Sequence, residues 1–218
     1  MIFEDKDRIV FAGDSVTDAN KTSAYGESES LGFGLGDGYV HFIYDMLAAE
    51  YPELDLRIIN SGVSGDTSRA LFKRWENDVL NFKPDWISIF IGINDAVTKL
   101  LYPQKPESQV SYEEYETNVE SMVKTAKKTA KGVFVISPYV AEPYKMDMLR
   151  VEMDKYREIC EKIAKKYECR YIDIQKMFDE YFKIRHQFCI AWDRIHPNRI
   201  GAYMIAKAFL KKCDFKFE

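Results

Sequence analysis

Ile9-Val-Phe-Ala-Gly-Asp-Ser-Val-Thr-Asp18 is the stretch that decides how this 218-residue chain folds. Arg8–Ala12 is the candidate strand: Ile9–Ala12 are apolar without interruption, too few for a helix and rich in branched and aromatic side chains. That is the pattern of a strand covered on both faces. Gly13-Asp14-Ser15 follows, three residues that favour turns and helix caps, so the strand stops there and leaves a serine at its carboxyl edge.

Four further runs of the same kind follow, at Leu56–Asn60, Trp86–Ile91, Val133–Ser137 and Arg170–Ile174. Between them lie amphipathic stretches with helical spacing. Tyr39–Glu50 places Phe42, Ile43, Met46 and Leu47 on one face, and Ser68–Asn81 does so with Leu71, Phe72, Trp75, Val79 and Leu80. Tyr112–Lys131, Asp147–Tyr167, Gln175–Lys183 and Arg199–Lys212 complete the set. Strand then helix, repeated five times, predicts an α/β fold with a five-stranded parallel sheet and helices on both faces. The pattern gives no order across the sheet. Long loops at Ala19–Gly38, Lys99–Ser111 and Pro138–Lys145 follow the first, third and fourth strands, at the sheet edge where such folds bind ligands. No repeat or linker interrupts residues 1–218, which read as one domain.

Composition narrows the function. The formal charge of −4 comes from 31 basic and 35 acidic residues spread along the chain, so no basic stripe offers itself to nucleic acid. Lysines gather only around Lys124–Lys131, as on the solvated face of a helix. The N-terminus is charged where a signal peptide needs an apolar run, and no segment has the length of a membrane span. Cys160, Cys169, Cys189 and Cys213 lack metal-ligand spacing and read as reduced, mostly buried thiols of a cytoplasmic protein. Gly32, Gly34, Gly36 and Gly38 do not make G-x-G-x-x-G, and no Walker or G-x-S-x-G motif is present, so no cofactor and no metal are expected.

A serine attacks an acyl carbon only when a base takes its proton. Three histidines are available. His41 lies within a helix pattern and His186 in a polar stretch, both more readily structural or solvent-facing. His196 stands in Trp192-Asp-Arg-Ile-His-Pro-Asn198. Pro197 disfavours helical geometry at His196, which puts it on a loop before the last helix, and Asp193 is close enough in sequence to orient the imidazole. Asn60–Ser68 and Ile91–Asp95 end the second and third strands. There the Gly65 backbone N–H and the Asn94 amide, with the Ser15 N–H as a third donor, can face a developing oxyanion. Each piece alone reads equally well as an ordinary turn or cap. Their conjunction at one sheet edge carries the functional reading.

Together, Gly13-Asp14-Ser15, Asn60-Ser-Gly-Val-Ser-Gly65, Gly92-Ile-Asn-Asp95 and Asp193-Arg-Ile-His196 resemble, in order, the four signature blocks of the SGNH (GDSL-like) hydrolases. The resemblance implies a flavodoxin-like three-layer α/β/α sandwich with Ser15 as nucleophile, His196 as general base and Asp193 as its orienting acid. Ser15, Gly65 and Asn94 would form the oxyanion hole. Leu35-Gly-Asp-Gly-Tyr39, Tyr51-Pro-Glu-Leu54, Lys83-Pro-Asp-Trp86 and Ala191-Trp-Asp-Arg194 look further like the intracellular acetyl xylo-oligosaccharide esterases of Gram-positive bacteria. That likeness implies hydrolysis of sugar O-acetyl esters, an oligosaccharide ester as substrate and a homo-oligomer. Trp192 then reads either as a sugar platform or as packing behind the triad; Tyr139 and Tyr144 are weaker sugar contacts. A lysophospholipase or acyl-thioesterase shares the triad but wants an apolar tunnel that the polar Ala19–Gly38 loop does not advertise. A non-catalytic binding protein has no need of Asp193 and His196 together.

Overall fold

The computed structural model describes residues 1–23, 25–27 and 34–217; part of the Ala19–Gly38 loop, with Gly32, lies outside them. The five expected runs form strands β1 (Arg8–Gly13), β3 (Arg57–Gly62), β4 (Trp86–Phe90), β5 (Gly132–Ile136) and β6 (Arg170–Ile172), all parallel. The five-stranded, all-parallel expectation needs one correction. A sixth strand, β2 (Gly26–Glu27), runs antiparallel beside β3 and makes the sheet mixed, in the order β2-β3-β1-β4-β5-β6. It is two residues long, without apolar alternation, so no sequence pattern announces it. Glu27 is held there by Arg57 of β3, 2.5 Å away.

Alternation along the strands sorts the core into two layers, because successive strand side chains point to opposite faces. Ile9 and Phe11 of β1, Ile58, Phe90 and Phe134 pack beneath helices α2 (Tyr39–Glu50), α7 (Ile174–Phe182) and α8 (Arg199–Lys211). Val10, Ala12, Ile59, Ile87, Ile89 and Val135 pack beneath α3 (Ser68–Asp78), α5 (Tyr112–Thr129) and α6 (Met148–Lys166). The result is a three-layer α/β/α sandwich. Cys160 and Cys213 lie inside it, Cys169 is half-buried and Cys189 is exposed. No described helix is long and apolar enough to cross a membrane.

Two helices lie outside the expected set. Helix α1 (Ser15–Asp18) has only four residues, and α4 (Ile93–Leu101) begins in Asn94 and Asp95, residues that favour turns over helix interiors. Both follow strands directly. The chain goes from β1 to β3 on one side, then crosses to β4 on the other. The carboxyl ends of β3, β1 and β4 therefore converge where the winding reverses, the crevice in which open α/β sheets bind ligands.

Candidate active site

Ser15 leaves β1 through a close turn. A Cβ on Gly13 would sit 2.3 Å from Thr17 Oγ1 and 2.5 Å from the Phe90 carbonyl, so only glycine fits the strand end against α1. Asp14 caps that short helix by accepting from the Val16 N–H at 3.0 Å. Ser15 Oγ then stands 2.8 Å from His196 Nε2.

The loop carrying His196 is pinned from several sides. Asp193 Oδ2 lies 2.6 Å from His196 Nδ1, while its Oδ1 accepts the backbone N–H groups of Ile195 (3.0 Å) and His196 (2.8 Å). Partial burial pulls the Asp193 carboxyl upward, but the His196 contact and those backbone donors outweigh it and leave it below the ordinary value. An ionised Asp193 only accepts, so Nδ1 carries the proton and Nε2 is free to accept from Ser15. Arg194, between the two, sits at φ +71°. Its carbonyl accepts from the Ala141 N–H (2.8 Å), and its guanidinium reaches Asp147 (2.6 Å) and Glu142 (3.2 Å). Pro197 and Asn198 then lead into α8, with Asn198 as the N-cap accepting from the Ile200 and Gly201 N–H groups.

Gly65 follows β3 at φ +88°, a backbone region that glycine enters without penalty. Asn94, in the first turn of α4, spends one amide hydrogen on the Asp66 carbonyl at 2.9 Å, which ties it to the Gly65 loop. Its second hydrogen and the backbone N–H groups of Ser15 and Gly65 donate to no described residue. Removing the Asn94 donor with Asn94→Ala is expected to lower kcat on an acetyl ester by about 10²–10³-fold with little change in KM. Steady-state kinetics on p-nitrophenyl acetate checks this, and an unchanged kcat would overturn the expected oxyanion role of Asn94.

Supporting residues escaped the sequence reading. Asn60, fully buried at the end of β3, donates to the carbonyls of Thr17 (2.7 Å) and Leu35 (2.8 Å) and accepts from the Gly62 N–H. Asp18 accepts from both the N–H and Oγ of Ser64. Arg74 reaches Asp66, the Ser61 carbonyl and the Gly13 carbonyl, joining β1, β3 and the Gly65 loop. The one available signal was Asn60, a polar residue inside a buried strand that has to find partners. Tyr139 is buried and donates to the Ile195 carbonyl at 2.7 Å, so it braces the histidine loop and offers no sugar platform. Trp192 is 80% exposed, which rules out packing behind the triad; Tyr144 is also exposed. His41 bonds the Gly36 carbonyl and His186 caps Phe188, both apart from Ser15. Among the described residues no three His, Cys, Asp or Glu side chains gather as a metal site.

Two buried carboxyls flank the machinery. Burial raises Asp14 to about 7, and raises Asp95, which accepts from Ser68, to about 6. Unfolded, both would ionise near 3.8. Between these limits the folded state holds protons that the unfolded state has lost, so this part of the stability is full below about pH 4 and fades as pH rises towards 7. Asp14→Asn keeps the oxygen that caps Val16 and removes the titration. Its Tm relative to the unaltered protein should therefore rise from pH 4 to pH 7, by an amount on the order of 2 kcal/mol in stability. Parallel melting curves across that range would contradict the assignment.

A serine hydroxyl chained to imidazole and carboxylate, with unspent donors beside it at the edge of a mostly parallel sheet, is the arrangement used by serine hydrolases on α/β frames. The profile of the GDSL-like Lipase/Acylhydrolase family matches residues 11–203, and the chain belongs to that family. It is 39% identical to the acetylxylan esterase of Geobacillus stearothermophilus over 212 residues, covering 97% of this chain and 95% of that one. The crystal structure of that organism's acetylxylan esterase Axe2 superposes with a TM-score of 0.95 at 38% identity, covering 99% and 98% of the two chains. LAE5, an alpha/beta hydrolase enzyme from the metagenome of Lake Arreo, superposes at 0.90 with 37% identity and 97% coverage of each chain.

Proposed function

We propose that the protein is a carboxylic ester hydrolase that removes O-acetyl groups from carbohydrates, with acetylated xylo-oligosaccharides as substrates and Ser15 as nucleophile. The observation that carries the reading is the unbroken chain Ser15 Oγ–His196 Nε2 and His196 Nδ1–Asp193 Oδ2, at 2.8 and 2.6 Å, beside N–H donors that have no partner among the described residues. Solved catalytic mutants of Axe2, named in print as an acetylxylan esterase, replace a serine, an aspartate and a histidine by alanine. Those residue types match this triad.

Ser15 Oγ attacks the acetyl carbonyl while its proton passes to His196 Nε2. The tetrahedral oxyanion accepts from the Ser15 and Gly65 N–H groups and the Asn94 amide, each worth about 3 kcal/mol in the transition state. Asp193 stabilises the imidazolium. His196 then protonates the departing sugar oxygen as the C–O bond breaks, leaving acetyl-Ser15. Water, deprotonated by His196, attacks the acyl carbon, and acetate leaves as Ser15 regains its proton.

Two cavities near Ser15 favour a short acyl group on a polar alcohol. The cleft at Ser15 and His196, about 270 Å³, is lined by Asn20, Asp37 and Ser64. The apolar space beside Val16, Ile93, Pro138 and Ile195 is only about 10 Å³, room for about one water-sized group. A lysophospholipase would need far more. The exposure of Trp192, next in sequence to Asp193, supports its reading as a sugar contact. Ile184 and Phe188 expose apolar surface along one stretch of chain, in keeping with a homo-oligomer, which sedimentation would reveal; a cytoplasmic location accords with the four unpaired cysteines. The deciding measurement is kcat/KM on acetylated xylo-oligosaccharides and on p-nitrophenyl esters of increasing acyl length. Activity confined to acetyl and strongest on the sugar is expected. A preference for long acyl chains would move the protein to lipase or thioesterase chemistry.

A further inference from the structure

The turn after α1 is built in an uncommon way. Ala19 and Asn20, neither a glycine, both adopt left-handed backbone, at φ +44° and +61°. Residues 36–38 hold them there. The Asp37 N–H donates to the Ala19 carbonyl at 2.7 Å. A Cβ on Gly36 would stand 2.5 Å from that same carbonyl oxygen, and one on Gly38 would stand 2.5 Å from the Ala19 Cβ. Two distant pieces of chain are thus laid flat on one another by glycine, and the residues they bring together are Asn20 and Asp37. Both side chains line the cleft shared with Ser15 and His196, and neither hydrogen-bonds or pairs with any described residue. Ser64, across the cleft, differs, because its hydroxyl is occupied by Asp18.

The chemistry of the triad says which part of an ester enters this cleft. The oxyanion must lie towards Gly65 and Asn94. The leaving oxygen must lie within reach of His196 Nε2, which returns the proton to it. The space bounded by His196, Pro197, Asn20 and Asp37 is therefore on the leaving-alcohol side. An ionised Asp37 only accepts hydrogen bonds, whereas the Asn20 amide both donates and accepts. We propose that Asn20 and Asp37 form a subsite for the leaving alcohol, with Asp37 accepting from the free hydroxyl on the carbon beside the ester and the Asn20 amide donating to a neighbouring oxygen of the same sugar. The assignment rests on the sugar-ester reading above.

The test compares kcat/KM on an acetylated xylo-oligosaccharide with that on p-nitrophenyl acetate, whose leaving group has no neighbouring hydroxyls. Asp37→Ala is expected to lower the ratio of the two about tenfold or more, the size of one charge-assisted hydrogen bond, mainly through KM for the sugar. Asp37→Asn, which keeps an acceptor, should lower it less, and Asn20→Ala should lower it as well. A ratio equal to that of the unaltered protein, or a fall shared equally by both substrates, overturns the subsite. An unaltered protein that cleaves p-nitrophenyl acetate but no acetylated sugar overturns the substrate reading, and the subsite with it.

Discussion

Replacing Ser15 by alanine is expected to lower kcat on an acetyl ester by about 10⁴-fold or more while the protein keeps its fold. Among the described residues the Ser15 hydroxyl has one side-chain partner, His196 Nε2, and takes no part in holding α1 together. The helix is capped by Asp14 and closed by the left-handed Ala19, both untouched by the change. Alanine at position 15 also suits a helix. Melting temperature should therefore stay within a few degrees while turnover disappears. The residual rate is expected from the proposed oxyanion donors, which would still polarise the carbonyl towards water. Labelling by an organophosphate gives an independent readout, because the unaltered protein should gain one phosphyl group and Ser15→Ala none. A variant retaining a tenth of the original turnover would show that Ser15 is not the nucleophile.

How much of this centre can be read from sequence depends on how local its physics is. The five parallel strands were legible because each is a short apolar run with polar flanks, and His196 was placed on a loop by the steric demand of Pro197 alone. Helix α4 was not, because Asn94 and Asp95 favour turns; Asp95 is accommodated only by its distant partner Ser68, 27 residues back in the chain. The two-residue β2 depends on pairing with Asn60 and Ile59 across the sheet edge and on the ion pair of Glu27 with Arg57. The same holds for the supports. Asn60 and Arg74 reach carbonyls that come near only after β1 and β3 pair, and no spacing rule encodes a contact of 61 residues such as Arg74 to Gly13. Sequence thus displays residues whose chemistry is unusual, and hides those whose work is to hold them.

The second large effect is expected at Asp193. Asp193→Asn changes one atom, and the geometry fixes which one. Oδ1 already accepts two backbone N–H groups, from Ile195 and His196. An asparagine must leave its carbonyl oxygen there, since its NH₂ group would face two donors. The NH₂ group then occupies the place of Oδ2, 2.6 Å from His196 Nδ1. Two N–H groups cannot share that position, so the imidazole must move its proton from Nδ1 to Nε2. Nε2 then donates to Ser15 Oγ and no longer accepts its proton. The loop stays intact while the base is lost, and kcat should fall about 10⁴-fold with little change in Tm. Asp193→Ala, by contrast, also deletes the two backbone contacts and should lower Tm as well as kcat. Proton NMR separates the explanations. The unaltered protein should show a far-downfield resonance from the Nδ1–H held by Asp193, and Asp193→Asn should lack it. If Asp193→Asn retained both that resonance and most of its turnover, His196 would be oriented by some other group, and the loop contacts from Tyr139 and Arg194 would be the next to test.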